Sequence, residues 1–203
     1  MTEKKASTAR GISPSQTVGP FFAYCLTPSA YGYAEVITSE LVTEDAAGDR
    51  IRIEGRVFDG DGQPVPDAMV EIWQADGQGR YAHPADRRAL PNARFKGFGR
   101  SGTDGEGRYR FTTIKPGQVP GPNGGTQAPH VNVNVFARGM LRHAFTRIYF
   151  EGEAANASDP ILALVPEDAR GTLIAKRATP GGEPTYTFDI RLQGKNETVF
   201  FEA

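Results

Sequence analysis

From Arg50 onward the chain alternates with a period of two. Ile51, Ile53, Gly55 and Val57 fall on one side, and Arg52, Glu54 and Arg56 on the other. That pattern is the signature of a strand with one buried face. Asp59-Gly60-Asp61-Gly62 supplies turn chemistry, and Ala68 to Trp73 is expected to return as the second strand of a hairpin. The pattern recurs where Thr103-Asp104-Gly105-Glu106-Gly107 turns into Arg108 to Thr113. Further strands are expected at Val131 to Phe136, Ala144 to Phe150, Thr185 to Leu192 and Thr198 to Phe201. A proline and two acids open Pro166 to Lys176, where one short helix is expected. With 24 glycines and 15 prolines cutting the chain into such pieces, the expected fold class is all-β. The architecture it implies is an antiparallel two-sheet β-sandwich with at most one or two short helices.

Residues 1–48 carry neither period. Ser13-Pro14-Ser15-Gln16-Thr17-Val18-Gly19-Pro20-Phe21-Phe22 combines stiff prolines with adjacent phenylalanines, and disordered tails are poor in aromatics. The expectation is an irregular but ordered N-terminal arm that docks on a partner chain, followed by one sandwich domain at 49–203. The 203 residues suffice for a core of their own. Because 23 Lys and Arg nearly cancel 24 Asp and Glu, no global field favours nucleic acid or an anionic membrane. The start of the chain lacks the apolar stretch of a signal peptide, and no apolar run approaches the length of a membrane span. The single cysteine, Cys25, allows no intrachain disulfide and is expected to be buried. The expected location is cytoplasmic.

Gly97-Phe98-Gly99-Arg100-Ser101-Gly102 matches a dinucleotide-binding fingerprint in letters only. The chemistry needs a helix N-terminus after the glycines, and here a turn and a strand follow, so the segment is read as a flexible loop. Residues 80–110 hold eight basic side chains against three acids, read as solvated loop and strand-edge charges. The histidines are His83, His130 and His143, and no two stand at a spacing of two or four. Ala128-Pro129-His130-Val131-Asn132 therefore opens a strand with one histidine where a metal site would want two. Arg138 ends that strand and is expected at the rim of the same pocket, its planar fork suited to a carboxylate.

Several segments together resemble the intradiol ring-cleaving dioxygenases. They include Asp67 to Asp76, Gly79-Arg80-Tyr81, Thr113 to Gly117, the Pro-His strand, Ser13 to Pro20, Thr146 to Phe150, Leu173 to Arg177 and Phe188 to Gly194. Catalytic chains of that family hold a non-haem ferric ion with two tyrosines and two histidines, in Asp-Arg-Tyr, Lys-Pro-Gly-x-Tyr and His-x-His. This chain reads Asp86-Arg87-Arg88, Lys115-Pro116-Gly117-Gln118-Val119 and His130-Val131-Asn132. The resemblance thus implies vestigial ligand positions at Arg88, Val119, His130 and Asn132 and no metal bound by this chain. A guanidinium is cationic and has no lone pair to give, valine has no donor, and asparagine offers a weak neutral one.

By the same resemblance the chain is like the iron-free alpha chains of the family, which pair with iron-bearing beta chains of the same fold. That implies a hetero-oligomer with Fe(3+) in the partner beta chain and no catalytic residue in this one. The implied reaction is cleavage of protocatechuate (3,4-dihydroxybenzoate) with O2 to 3-carboxy-cis,cis-muconate, in the breakdown of aromatic compounds. Thr17, Gly19, Pro20 and Arg138 are the implied substrate-binding residues at the partner's pocket. The alternative is a non-enzymatic β-sandwich binding module without a catalytic partner.

Overall fold

A computed structural model of the chain describes residues 21–90, 93–178 and 183–202. Among these the chain forms one six-residue α-helix, α1 (Phe21–Leu26), a few short 3-10 segments and eleven strands. The strands are β1 (Arg50–Phe58), β2 (Met69–Gln74), β3 (Phe98–Gly102), β4 (Arg108–Ile114), β5 (Val119–Pro120), β6 (Thr126–Gln127), β7 (His130–Phe136), β8 (Ala144–Phe150), β9 (Ile174–Arg177), β10 (Thr185–Thr187) and β11 (Ile190–Arg191). No helix among the described residues is long and apolar enough to cross a membrane.

β1 pairs antiparallel with β4 on one edge and parallel with β10 and then β11 on the other. β3, β2, β7 and β8 follow one another antiparallel. The two groups meet in β9, which runs parallel to β8 through Ile174 and Ala175 and antiparallel to β10 through Lys176 and Arg177. The expectation of an antiparallel sandwich of two sheets is therefore only partly met. Four residues of β9 serve two neighbours in succession, so the hydrogen-bonded path is continuous and curls over one core, and its parallel pairs make it mixed.

The period read in the sequence is what fills that core. Ile51, Ile53 and Val57 of β1 meet Val70 and Ile72 of β2, Phe111 of β4, Val131, Val133 and Val135 of β7, and Ile148 and Phe150 of β8. Each such side chain contributes about 1.5–3 kcal/mol on burial. Gly55 sits where β1 changes partner from β10 to β11, and a Cβ there would lie 1.8 Å from the Phe188 carbonyl oxygen. That same oxygen accepts the Tyr109 hydroxyl at 2.6 Å. A smaller apolar cluster gathers Ala128, Tyr149, Leu162, Val165 and Leu173. At its heart the buried Asp159 carboxylate accepts four bonds: Ala128 N at 2.7 Å, Tyr149 Oη at 3.1 Å, Ile161 N at 2.9 Å and Leu162 N at 2.7 Å.

Several local expectations change. The turn after β1 does reverse the chain, since Asp59 N donates to Gln63 O and Val65 N to Val57 O. The returning strand, however, is only Pro64-Val65, and β2 crosses to pair with β3 and β7. The Gly97–Gly102 segment is no loop: β3 lies within it, and Gly99 is a packing position, where a Cβ would stand 2.5 Å from Leu41 Cδ1. The Pro166 helix is reduced to a turn on the Pro166 carbonyl and a 3-10 segment at Arg170–Leu173, because Leu173 must turn inward and hand the chain to β9. Thr198 to Phe201 makes only one bridge, Phe145 to Phe201. Cys25 is exposed, since α1 is too short and peripheral to bury its outer face. The basic run is largely paired, through Arg80–Asp76, Arg88–Asp86, Arg94–Glu44, Arg100–Glu71 and Arg108–Glu106. Before β1, Leu41 is buried in the core and its N–H donates to Thr112 O at 2.8 Å, so the end of the N-terminal segment is fastened to β4.

Candidate functional site

The pleat that turns the valines of β7 inward turns His130, Asn132 and Asn134 the other way. Over that outer face lies a cavity of about 700 Å³. Its floor is a cross-strand row in register, Phe98 of β3, Trp73 of β2, Asn132 of β7 and Arg147 of β8. The segment Tyr81 to Arg88 and the short strand β5 form its walls. Arg88, Val119, His130 and Asn132, far apart in sequence, all line this one cavity.

Each of the four has a structural job. Arg88 ties its own segment together: Nε and Nη2 donate to Asp86 at 3.1 and 2.9 Å, and Nη2 also donates to Gly79 O at 2.7 Å. The Arg88 bonds first of all, then the backbone N–H groups of Tyr81 and Arg88, hold the Asp86 carboxyl down at about 2. Val119 is buried in β5. Asn132 Nδ2 donates to the Tyr81 hydroxyl at 3.4 Å. His130 is buried with Nδ1 2.7 Å from Ala128 O. A carbonyl can only accept, so Nδ1 carries the proton and Nε2 is left as the acceptor. Burial, and then the nearby Arg147 charge, pushes the His130 pKa down to about 4, so the ring is neutral at physiological pH. Tyr81 also lines the cavity but lies outside the three ligand motifs; burial raises its phenol, which stays protonated.

A ferric ion asks for anionic oxygen donors alongside imidazole. The four positions offer a guanidinium already bonded to a carboxylate, an apolar side chain, a neutral amide and one imidazole. These residues do not fit a ferric ion. Whatever fraction of the isolated chain stays folded is expected to hold no stoichiometric iron and to show no phenolate-to-iron charge-transfer colour. Iron near one per chain by elemental analysis, with burgundy absorbance, would end this account.

Arg138 stands elsewhere. Seven residues of β7 separate the His130 end of the strand from it, roughly 20 Å of extended chain. It is therefore not at the rim of the His130 cavity. Its Nε lies 2.9 Å from Asp67 Oδ2, its side chain is 71% exposed, and it lines a second cavity of about 340 Å³. Ala23 and Leu26 of α1 line that same cavity. Thr17, Gly19 and Pro20 lie outside the described residues. Sequence reasoning missed Trp73, Phe98 and Arg147 as cavity residues. Outward-facing aromatics on β2 and β3 were the available signal, hidden by reading β3 as a loop.

Residues 18–194 match the protein family described as Dioxygenase. The protocatechuate 3,4-dioxygenase alpha chain of Burkholderia cepacia is 50% identical over 197 residues, covering 94% of this chain and 97% of that one. The protocatechuate 3,4-dioxygenase beta chain of Burkholderia cepacia is 40% identical over 158 residues, covering 74% and 67%. Among solved structures, the dioxygenase domain of a dioxygenase carbohydrate-binding protein fusion from Streptomyces sp. SirexAA-E superposes with a TM-score of 0.60. It is 26% identical and is covered to 99%, against 90% of this chain.

Proposed function

The chain belongs to the intradiol dioxygenase family, and on that premise we propose that it is the iron-free alpha-type subunit of a hetero-oligomeric protocatechuate 3,4-dioxygenase. One observation carries the reading. The chain follows the alpha chain of Burkholderia cepacia over nearly its full length, yet its own cavity gathers Arg88, Val119, His130 and Asn132, a set unfit for ferric iron. The metal then belongs to a homologous beta chain, where Fe(3+) supplies the redox chemistry by which protocatechuate and O2 yield 3-carboxy-cis,cis-muconate.

This chain's contribution is shape and charge. The arm within residues 1–48 docks on the partner, and Thr17, Gly19 and Pro20 border the partner's pocket; a Gly-Pro pair brings backbone close to a planar ring and keeps its form. Arg138 faces the substrate carboxylate. Three features support this. α1, which lies within the arm, shares a cavity with Arg138. The Arg138 guanidinium is exposed and engaged through Nε, which leaves its Nη1–Nη2 edge for a carboxylate. Tyr24, Tyr31, Tyr33 and Val36 form an exposed apolar stretch of the kind a partner covers. The proposed location is the cytoplasm, where the exposed Cys25 thiol stays reduced.

Co-expression with a chain carrying Asp-Arg-Tyr, Lys-Pro-Gly-x-Tyr and His-x-His tests the reading. The two are expected to co-purify with one iron per pair and to cleave protocatechuate, while this chain alone aggregates and is inactive. A stable, monodisperse monomer that ignores such a partner would favour the plain binding module.

A further inference from the structure

The cavity over β2, β3, β7 and β8 is lined like a binding pocket although it cannot hold the metal. Trp73 and Phe98, paired in register, keep 39% and 37% of their surfaces exposed. The Tyr81 ring lies 4.7 Å from the Trp73 ring and tilts against it. Flat apolar surface of this kind in a concave site takes a flat apolar partner.

Of the charged groups that line the cavity, Arg87 is exposed to solvent on the Tyr81–Arg88 wall, where water screens it, and Arg88 and the two acids are already paired. Glu71, which also lines the cavity, is neutralised by Arg100, whose Nε and Nη2 donate to Oε1 at 2.9 and 2.5 Å. Asp86 is neutralised by Arg88. Arg147 has no carboxylate partner among the described residues: Nη1 donates to the neutral Gln127 Oε1 at 2.7 Å, the guanidinium also donates to the neutral Tyr149 hydroxyl, and Nε is buried without a hydrogen bond. A half-buried guanidinium in that state gains a charge-assisted bond from any carboxylate that reaches it. Asn132 beside it, and the neutral His130 with Nε2 as acceptor, add polar groups that suit a ring hydroxyl.

We propose that this chain's own cavity is a metal-free binding site for a planar hydroxylated aromatic carboxylate, with the ring over Trp73 and Phe98 and the carboxylate on Arg147. The site performs no chemistry. It adds to the chain a ligand site separate from the one it helps to border through Arg138, and it does not depend on the subunit assignment.

The test is calorimetric titration of the assembled complex, without O2, with 4-hydroxybenzoate as the probe. Two binding sites per pair are expected, one that perturbs the iron charge-transfer band and one silent to it. Arg147→Gln should weaken the silent site about tenfold or more and leave the iron-linked site unchanged, while Arg147→Lys retains part of the affinity. Cyclohexanecarboxylate, equal in charge but not planar, should bind the silent site more weakly. A single site per pair, or a silent site indifferent to Arg147→Gln and to Trp73→Leu, overturns the proposal. Should the chain instead prove a self-sufficient monomer, the subunit reading fails, and one Arg147-dependent site for the probe on that monomer still supports this proposal while no such site overturns it. Trp73 is the only tryptophan of this chain, so the part of the complex's fluorescence quenching by the probe that both Trp73→Phe and Arg147→Gln remove reports the site, and no Trp73-dependent quenching at saturation refutes it.

Discussion

Arg138→Ala in the assembled enzyme is expected to lower kcat/KM for protocatechuate about 10- to 150-fold. The figure follows from losing one charge-assisted hydrogen bond to the substrate carboxylate, worth about 1.5–3 kcal/mol. The bond to Asp67 does not oppose this, because an ion pair this exposed contributes about 0–1 kcal/mol. Asp67 instead takes the guanidinium through Nε, and no carboxylate among the described residues is paired with its Nη1–Nη2 edge. Iron content and assembly should be unchanged, since Arg138 lies outside the set of residues proposed to hold the metal in the other chain. For catechol, which has no carboxylate, the loss should shrink toward nothing. Steady-state kinetics on both substrates separate the outcomes. An intact complex within twofold of wild type on protocatechuate reduces Arg138 to a surface ion pair, and an equal loss on both substrates assigns it to pocket shape.

The other large effect is on stability. Asp159→Ala is expected to destabilise the fold by about 3–5 kcal/mol, because the Ala128 and Leu162 N–H groups, both buried, lose their acceptor and each such loss costs about 1–3 kcal/mol. The Tyr149 hydroxyl, beside the same carboxylate, loses its partner as well. For a chain of this size the change corresponds to a fall in Tm of roughly 6–20 °C. Asp159→Asn, whose amide oxygen still accepts, should lose less. Thermal unfolding of the assembled complex checks both, and an alanine variant melting within about 2 °C of wild type would show that water replaces the carboxylate at no cost.

What the chain discloses in one dimension is the part of its fold that is periodic. β7 was legible because Val131, Val133 and Val135 recur at every second position and all end in the core. The four vestigial positions were legible through motif resemblance, and the cavity that unites them follows from β5, β7 and the Tyr81–Arg88 segment converging. The partners of β1 were not legible. A turn at Asp59–Gly62 advertises a hairpin, and nothing local says that the return stops at Val65 while β10 and β11 arrive from the far end of the chain. Gly99 was misread for a related reason: a glycine that admits Leu41 looks, in sequence, like one that confers flexibility. Asp159 gave no signal at all, because a lone aspartate in an unpatterned stretch does not reveal that four donors will surround it.

The long reach of β1 has a consequence for synthesis. The strand is complete once Phe58 has been made, and β4 can cover one of its edges some fifty residues later. Its other edge waits for β10 and β11, roughly 130 residues downstream. At about 5–20 residues per second the ribosome needs on the order of 7–25 s to deliver them. Throughout that interval the nascent chain presents an unpaired strand edge beside a row of isoleucines, the form most prone to pair with a neighbouring polysome's product. Chaperone dependence in this protein should therefore concentrate on the half-made chain, and a stop codon anywhere before Thr185 would leave that edge open for good.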